Sequence, residues 1–205
     1  LAASGSPMRW PPTSAGLKGP DNPMIRREFQ SIDELAKWLM GAGIATAHWG
    51  QGESKRLDDL WLEYTAGEAS FRDDPPARLL DVAEIIIRRG DTVLIEVEQE
   101  FADGRRRARL VPPSEKLKSG ESPRGAALRC LREELGLASE DMTLGETWIT
   151  TEDAAVSPSY PGLPTHYIFR TFEATADSLP DEDFYRENSA PGDPIRRHLW
   201  GWRKR

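Results

Sequence analysis

The sequence predicts an α+β chain. Helical periodicity over residues 31–67 gives way to strand periodicity from residue 82, and one well-capped helix at residues 122–136 interrupts the strands. The first helix opens at Ser31, with Asp33 and Glu34 in its first turn, runs through Leu35, Trp38, Leu39 and Met40, and stops at Gly41 and Gly43. A second is signalled by Ser54 and by Leu57, Leu60, Trp61 and Tyr64, with Gly67 as its end. Residues 82–88 and 92–99, rich in Ile and Val, flank the turn Arg89-Gly90-Asp91, and Asp103-Gly104 turns the chain into 105–111, giving an antiparallel meander. A loop over 112–121 leads to a helix with Ser122 as N-cap, Pro123 at its first position, Leu128, Leu131 and Leu135 on one stripe and Gly136 as stop. Strands follow at about 143–150 and 166–174, separated by a long loop over 151–165, and a last aromatic strand holds Leu199, Trp200 and Trp202.

These elements divide the chain into an extended arm (1–24) rich in Pro and Gly, a two-helix module (25–76) and a larger α+β domain (77–205). At 205 residues, 38% hydrophobic and 30% charged, one ordinary core with extensions is expected. A net charge of -7 argues against generic binding to a nucleic-acid backbone. The clusters Arg105, Arg106, Arg107, Arg109 and Arg196, Arg197, Arg203, Lys204, Arg205 therefore read as solvated faces or subunit contacts. Cys130 is the only cysteine, which excludes internal disulfides and thiolate zinc clusters. No stretch approaches the roughly 18 apolar residues of a membrane helix. The chain starts at Leu1 without an initiator Met, compatible with removal of a targeting segment, so a plastid or mitochondrion is the expected location and the cytoplasm the other.

Residues 115–137 carry the chemistry. Glu121 stands ahead of the helix, followed by Arg129-Cys130-Leu131-Arg132-Glu133-Glu134-Leu135-Gly136-Leu137. Carboxylates one and four residues apart share a helical face and can converge on a hard cation. This segment resembles the Nudix signature, in which Gly, Glu, Arg-Glu, Glu-Glu and Gly recur at fixed spacing; seven of the nine specified positions match. The resemblance implies an α/β/α sandwich with a mixed sheet, and nucleotide diphosphate chemistry with Mg2+ or Mn2+ as cofactor. It places Glu121, Glu133 and Glu134 at metal-binding positions, Arg129 as the residue that orients them, and Gly136 at the helix stop. From about residue 30 onward the chain also resembles Nudix-like proteins of plants and algae, a likeness that brings no reaction with it.

Two departures matter. Cys130 stands where the family has a glutamate that ligates metal or acts as base, and a thiol is a poor ligand for a hard cation. Glu115 replaces the opening glycine. Glu152 or Asp153 could supply a relocated base, and the loop 157–164, with three prolines, lies where substrate-selecting loops sit in this fold. His48, His166 and His198 each read as structural. The expectation is a non-catalytic accessory or scaffold subunit of a larger organellar protein assembly, supported by seven tryptophans as interface anchors. The alternative is a divergent Mg2+-dependent hydrolase of a nucleoside diphosphate derivative, and RNA or nucleotide binding without hydrolysis ranks third.

Overall fold

A computed structural model describes residues 26–188 and 192–204; the arm over 1–24 and Arg205 lie outside the described residues. The elements run α1 (Ile32–Gly41), α2 (Leu57–Thr65), β1 (Ser70–Asp73), β2 (Pro76–Arg89), β3 (Thr92–Phe101), β4 (Arg106–Val111), β5 (Ser114–Lys116), α3 (Pro123–Glu133), β6 (Thr143–Val156), β7 (Pro164–Thr175), β8 (Phe184–Glu187) and β9 (Ile195–Lys204). The sheet order is β6-β7-β2-β3-β9-β8, with β1 and β5 also on β2 and β4 also on β3. Because β2 and β7 run parallel and the other pairs antiparallel, the sheet is mixed.

Helices form where the caps predict. Ser31 Oγ accepts from the Glu34 amide at 3.3 Å, and Ser122 Oγ from the Gly125 amide at 3.1 Å. The cap expected at Ser54 is not used for α2. Its hydroxyl donates instead to Gln51 O at 2.7 Å, closing the preceding turn, and Arg56 takes the N-cap position, its amide donating to Asp59 Oδ2 at 2.7 Å. The expected loop over 151–165 is shorter than the sequence suggests, because β6 and β7 pair without a break from Trp148–Phe172 to Val156–Pro164.

Alternation along β2 explains the layers. Ala83, Ile85 and Ile87 point to one face and pack with Ala126, Ala127, Cys130 and Leu131 of α3, together with Leu94, Phe172 and Trp200. Arg78, Leu80, Val82 and Glu84 point to the other. There Arg78 meets Glu63 of α2 at 3.0 Å, and Lys116, paired in register with Val82, meets the same carboxylate at 2.7 Å. The two-helix module thus supplies the second helical layer. Its own core, Phe29, Leu35, Leu39, Trp49, Leu60 and Phe71, is completed by Tyr160 and Leu163. Both residues are buried, so the proline loop seals the module onto the sheet instead of forming an open recognition surface.

Glu63 is the polar centre of that junction. It accepts from Lys55 at 3.3 Å and from the Tyr160 hydroxyl at 3.1 Å in addition to Arg78 and Lys116. Burial alone would raise its pKa, but Lys116, Lys55 and Arg78 overcome this and hold it well below the usual carboxylate range. Such a group stabilises the fold fully above its unfolded value of 4.5, and the contribution is lost as pH falls. Glu63→Gln strands the buried cations. It should therefore lower stability by about 3–5 kcal/mol in urea unfolding at pH 7, and its stability should fall less steeply than the wild type's below pH 4.5.

Candidate functional site

The signature segment folds as a short strand, a loop and α3. Glu115 pairs in register with Ala83, which faces α3, while its neighbour Lys116 faces the module. Adjacent residues of β5 thereby enter ion clusters on opposite sides of the sheet. On the α3 side the cluster is built around Arg129. Its Nε and one terminal nitrogen donate to the two oxygens of Glu121 at 3.0 and 2.9 Å, and it also donates to Lys116 O at 2.8 Å. Glu115 stands 3.0 Å away and Glu133 3.7 Å. Burial works against the arginine's charge, but the Glu121 hydrogen bonds and the neighbouring carboxylates hold it firmly protonated. Reciprocally, the Arg129 hydrogen bonds lower the pKa of Glu121, and burial raises that of Glu115.

Cys130 has 0% exposure and sits among the apolar residues of the main core. Burial first, then the nearby Glu134, Glu115 and Glu96, push its thiol well above the ordinary range. Gly136, at φ 65°, makes the left-handed turn that ends the segment, as its position predicts.

Glu134 turns the other way, toward the sheet. Its Oε2 lies 3.5 Å from His198 Nδ1, and the same nitrogen lies 2.5 Å from Glu96 Oε1. Arg109 holds the second oxygen of Glu96 at 3.2 Å. Among the described residues, Glu96, Glu134 and His198 form a group whose ligand atoms all lie within 4.8 Å of one another. Burial pushes Glu134 up to about 8, with His198 opposing it. For His198, burial lowers the pKa, but the hydrogen bond to Glu96 and the charge of Glu134 win and raise it. Glu96 is correspondingly lowered, against the effect of burial, by His198 and Arg109.

Of the residues expected at metal-binding positions, Glu121 and Glu133 are brought together on Arg129, whereas Glu134 faces His198 and Glu96. A hard cation needs several convergent oxygens. Here both oxygens of Glu121 face Arg129, Glu133 leans on the same guanidinium, position 130 offers a protonated thiol in the core, and Glu134 belongs to another group. The signature residues do not fit Mg2+ or Mn2+. Glu152 pairs with His166 at 3.2 Å, on a ladder between β6 and β7, among the described residues and not with the signature segment. Glu96 was not singled out in the sequence, and His198 was read there as structural. They lie on strands, 102 residues apart, and only the β3–β9 pairing unites them.

Among the described residues, most of the basic clusters' charges meet carboxylates within the chain. Glu100 meets Arg106, Arg196 and Arg197 at 3.2, 3.3 and 2.8 Å, Arg109 meets Glu96, and Arg203 meets Asp183 at 2.7 Å. Most tryptophans are also engaged internally: Trp38 donates to Asp73, Trp49 to Pro161 O and Trp202 to Pro180 O, while Trp200 is 1% exposed. Trp148 remains 42% exposed.

Two outcomes follow from this geometry. Cys130 should resist a thiol reagent in the native protein and react stoichiometrically after denaturation, as followed by absorbance of the released chromophore. Because the folded pKa values of Glu134 and His198 are raised, the stability they contribute is present at low pH and declines as pH rises, Glu134's share being lost between its unfolded value of 4.5 and about 8. The melting temperature should therefore fall from pH 6 to pH 9, and less steeply in Glu134→Gln.

Comparison with known proteins gives three results. The family model described as NUDIX domain matches residues 78–191, more than half of the chain. A search of curated proteins returned no match. Solved structures similar to this chain include an Ap4A hydrolase of C. elegans, at 19% identity over 62% of this chain and 80% of that one, TM-score 0.34. Another is a NUDIX hydrolase from Nitrosomonas europaea, at 18% identity over 60% and 72%, TM-score 0.37. By the family match, which runs from Arg78 in β2 through β8 and takes in α3 and the Arg129-centred segment, the chain belongs to the NUDIX family.

Proposed function

We propose that this chain is a non-catalytic NUDIX-fold protein that serves as an accessory or scaffold subunit of a larger, organellar protein assembly. The observation that carries the first half is the burial of Cys130. Where the family carries a working glutamate, this helix turns a neutral thiol into the core, and the remaining signature carboxylates are consumed by Arg129 and His198. Without convergent oxygens, this segment has nothing with which to screen a diphosphate or to activate water.

The assembly role draws support from β6. This strand of 14 residues is the outer member of the sheet order, and from Glu146 to Val156 it is exposed. It presents Trp148 and Ile149, the latter 64% exposed. Long exposed edges are surfaces that proteins either protect or pair with another chain.

A second reading keeps the family's chemistry: a divergent pyrophosphohydrolase whose ligands have been relocated. The group Glu96, Glu134 and His198 favours it, and the Ap4A hydrolase of C. elegans shows one class of nucleotide substrate that such an enzyme would take.

Phosphate release from a panel of nucleoside diphosphate derivatives with Mg2+ or Mn2+ separates the readings. We expect no turnover above the spontaneous rate in the wild type, with Glu133→Gln and Glu134→Gln folded as judged by circular dichroism. Turnover that disappears in both variants would establish the hydrolase. In native extracts the protein should migrate well above the size of the single chain; a monodisperse monomer there would refute the scaffold role.

A further inference from the structure

We infer that Glu96, Glu134 and His198 form a binding site for one divalent transition cation of the Zn2+ class, displaced from the signature helix onto the β3–β9 ladder. This goes beyond the proposed function and holds whether or not the chain hydrolyses anything. It follows from the misfit described above: the oxygens of the signature segment do not converge, but one signature carboxylate, Glu134, does converge with two residues from the sheet.

The donor set selects the metal. One imidazole and two carboxylates suit zinc or its neighbours, whereas Mg2+ prefers six oxygens and keeps several waters. Three protein ligands leave a fourth position for water. The spacing is close to what such an ion needs. Ligand atoms about 2.0–2.1 Å from a tetrahedral centre lie about 3.4 Å apart. The Glu134–His198 distance of 3.5 Å already meets this, and Glu96 and His198, at 2.5 Å, must open by about 0.9 Å. The cation would take the place of the proton between His198 Nδ1 and Glu96 Oε1, with Glu134 as the third ligand. Arg109, on Glu96, holds that carboxylate ionised and oriented, as the outer partners of metal ligands do. Access is through Glu134, whose side chain is 23% exposed, while Glu96 and His198 are buried.

A second observation lies beside the group. Trp200 Nε1 and Arg186 Nε are buried donors without a hydrogen-bond partner. Trp200 follows His198 by two residues, so it shares its face of β9, and its ring stacks on the imidazole at 6.1 Å. Arg186 is the register partner of His198 on β8, and its guanidinium lies against Gly136, two residues beyond Glu134. Buried donors left unpaired are rare and usually mark an unaccounted water or ion. Of the two, Trp200 is the one in contact with the group, and water held on a cation beside its ring would supply the acceptor oxygen that its Nε1 lacks.

The test is Co2+ binding to the full chain after dialysis against chelator, read by visible absorption and by isothermal titration. We expect one equivalent of Co2+ with the intense visible bands of a four-coordinate N/O site, displaced by one equivalent of Zn2+ and not by a hundredfold excess of Mg2+. His198→Gln and Glu96→Gln should each weaken binding at least tenfold, whereas His166→Gln, which alters the exposed His166–Glu152 pair, should leave it unchanged. Absence of Co2+ binding, displacement by Mg2+, or loss in His166→Gln with retention in His198→Gln would overturn the assignment. Because the buried variants could fail to fold, the wild type supplies a second readout: substoichiometric Co2+ should broaden the ring resonances of His198 and spare those of His48 and His166. The reverse pattern would refute the site.

Discussion

Strand β2 has neither face open to water along most of its length, and most of the architecture answers that constraint. On one side it carries small and branched apolar residues, which α3 covers with a stripe that includes two alanines and a cysteine. On the other it carries Arg78 and Glu84 among its apolar residues, so the covering layer there must bring polar partners. Thr171 serves Glu84 at 3.0 Å, and Glu63 of the two-helix module serves Arg78. The module is thus more than an apolar lid. It carries the counter-charge without which an arginine on this strand could not remain buried.

The dipeptide Glu115-Lys116 joins the two sides. Strand geometry sends the first residue to Arg129 and the second to Glu63, so the signature loop is clamped between the two ion clusters. A glycine at 115 would leave Arg129 with Glu121 and Glu133 as its carboxylate partners. With glutamate there, the guanidinium is surrounded by three carboxylates, and the loop is a strand with a side chain to anchor it. The two departures from the family signature act together. One removes a carboxylate from the helix face, and the other adds one beneath it, engaged with the arginine and not with a metal.

How far the sequence discloses this differs by element. The caps at Ser31 and Ser122, the turns at Gly90 and Gly104 and the left-handed stop at Gly136 are local, and each was legible from two to four residues. So was the Arg129–Glu121 partnership, through the spacing of the signature. The short strands β1, β5 and β8 carry no periodicity that three or four residues could express, and they exist only because β2 and β9 offer edges to pair with. The prolines at 158, 161 and 164 advertised rigidity, but nothing local says that Tyr160 and Leu163 point inward. Glu96 and His198 are hidden for a related reason. Each looks like an ordinary residue on an alternating strand, and their meeting depends on a ladder register that includes a bulge.

The family match begins at Arg78, the residue that Glu63 neutralises. The matched residues and the packed unit therefore do not coincide. A fragment trimmed to the family's own limits would start on a buried arginine whose counter-ion had been left behind, with Lys116 uncompensated and the rings and aliphatic groups of Tyr160 and Leu163 bared to solvent. The helices that lie outside the matched residues close the second face of the sheet, and the ion pairs at Glu63 tie the stability of each part to the other.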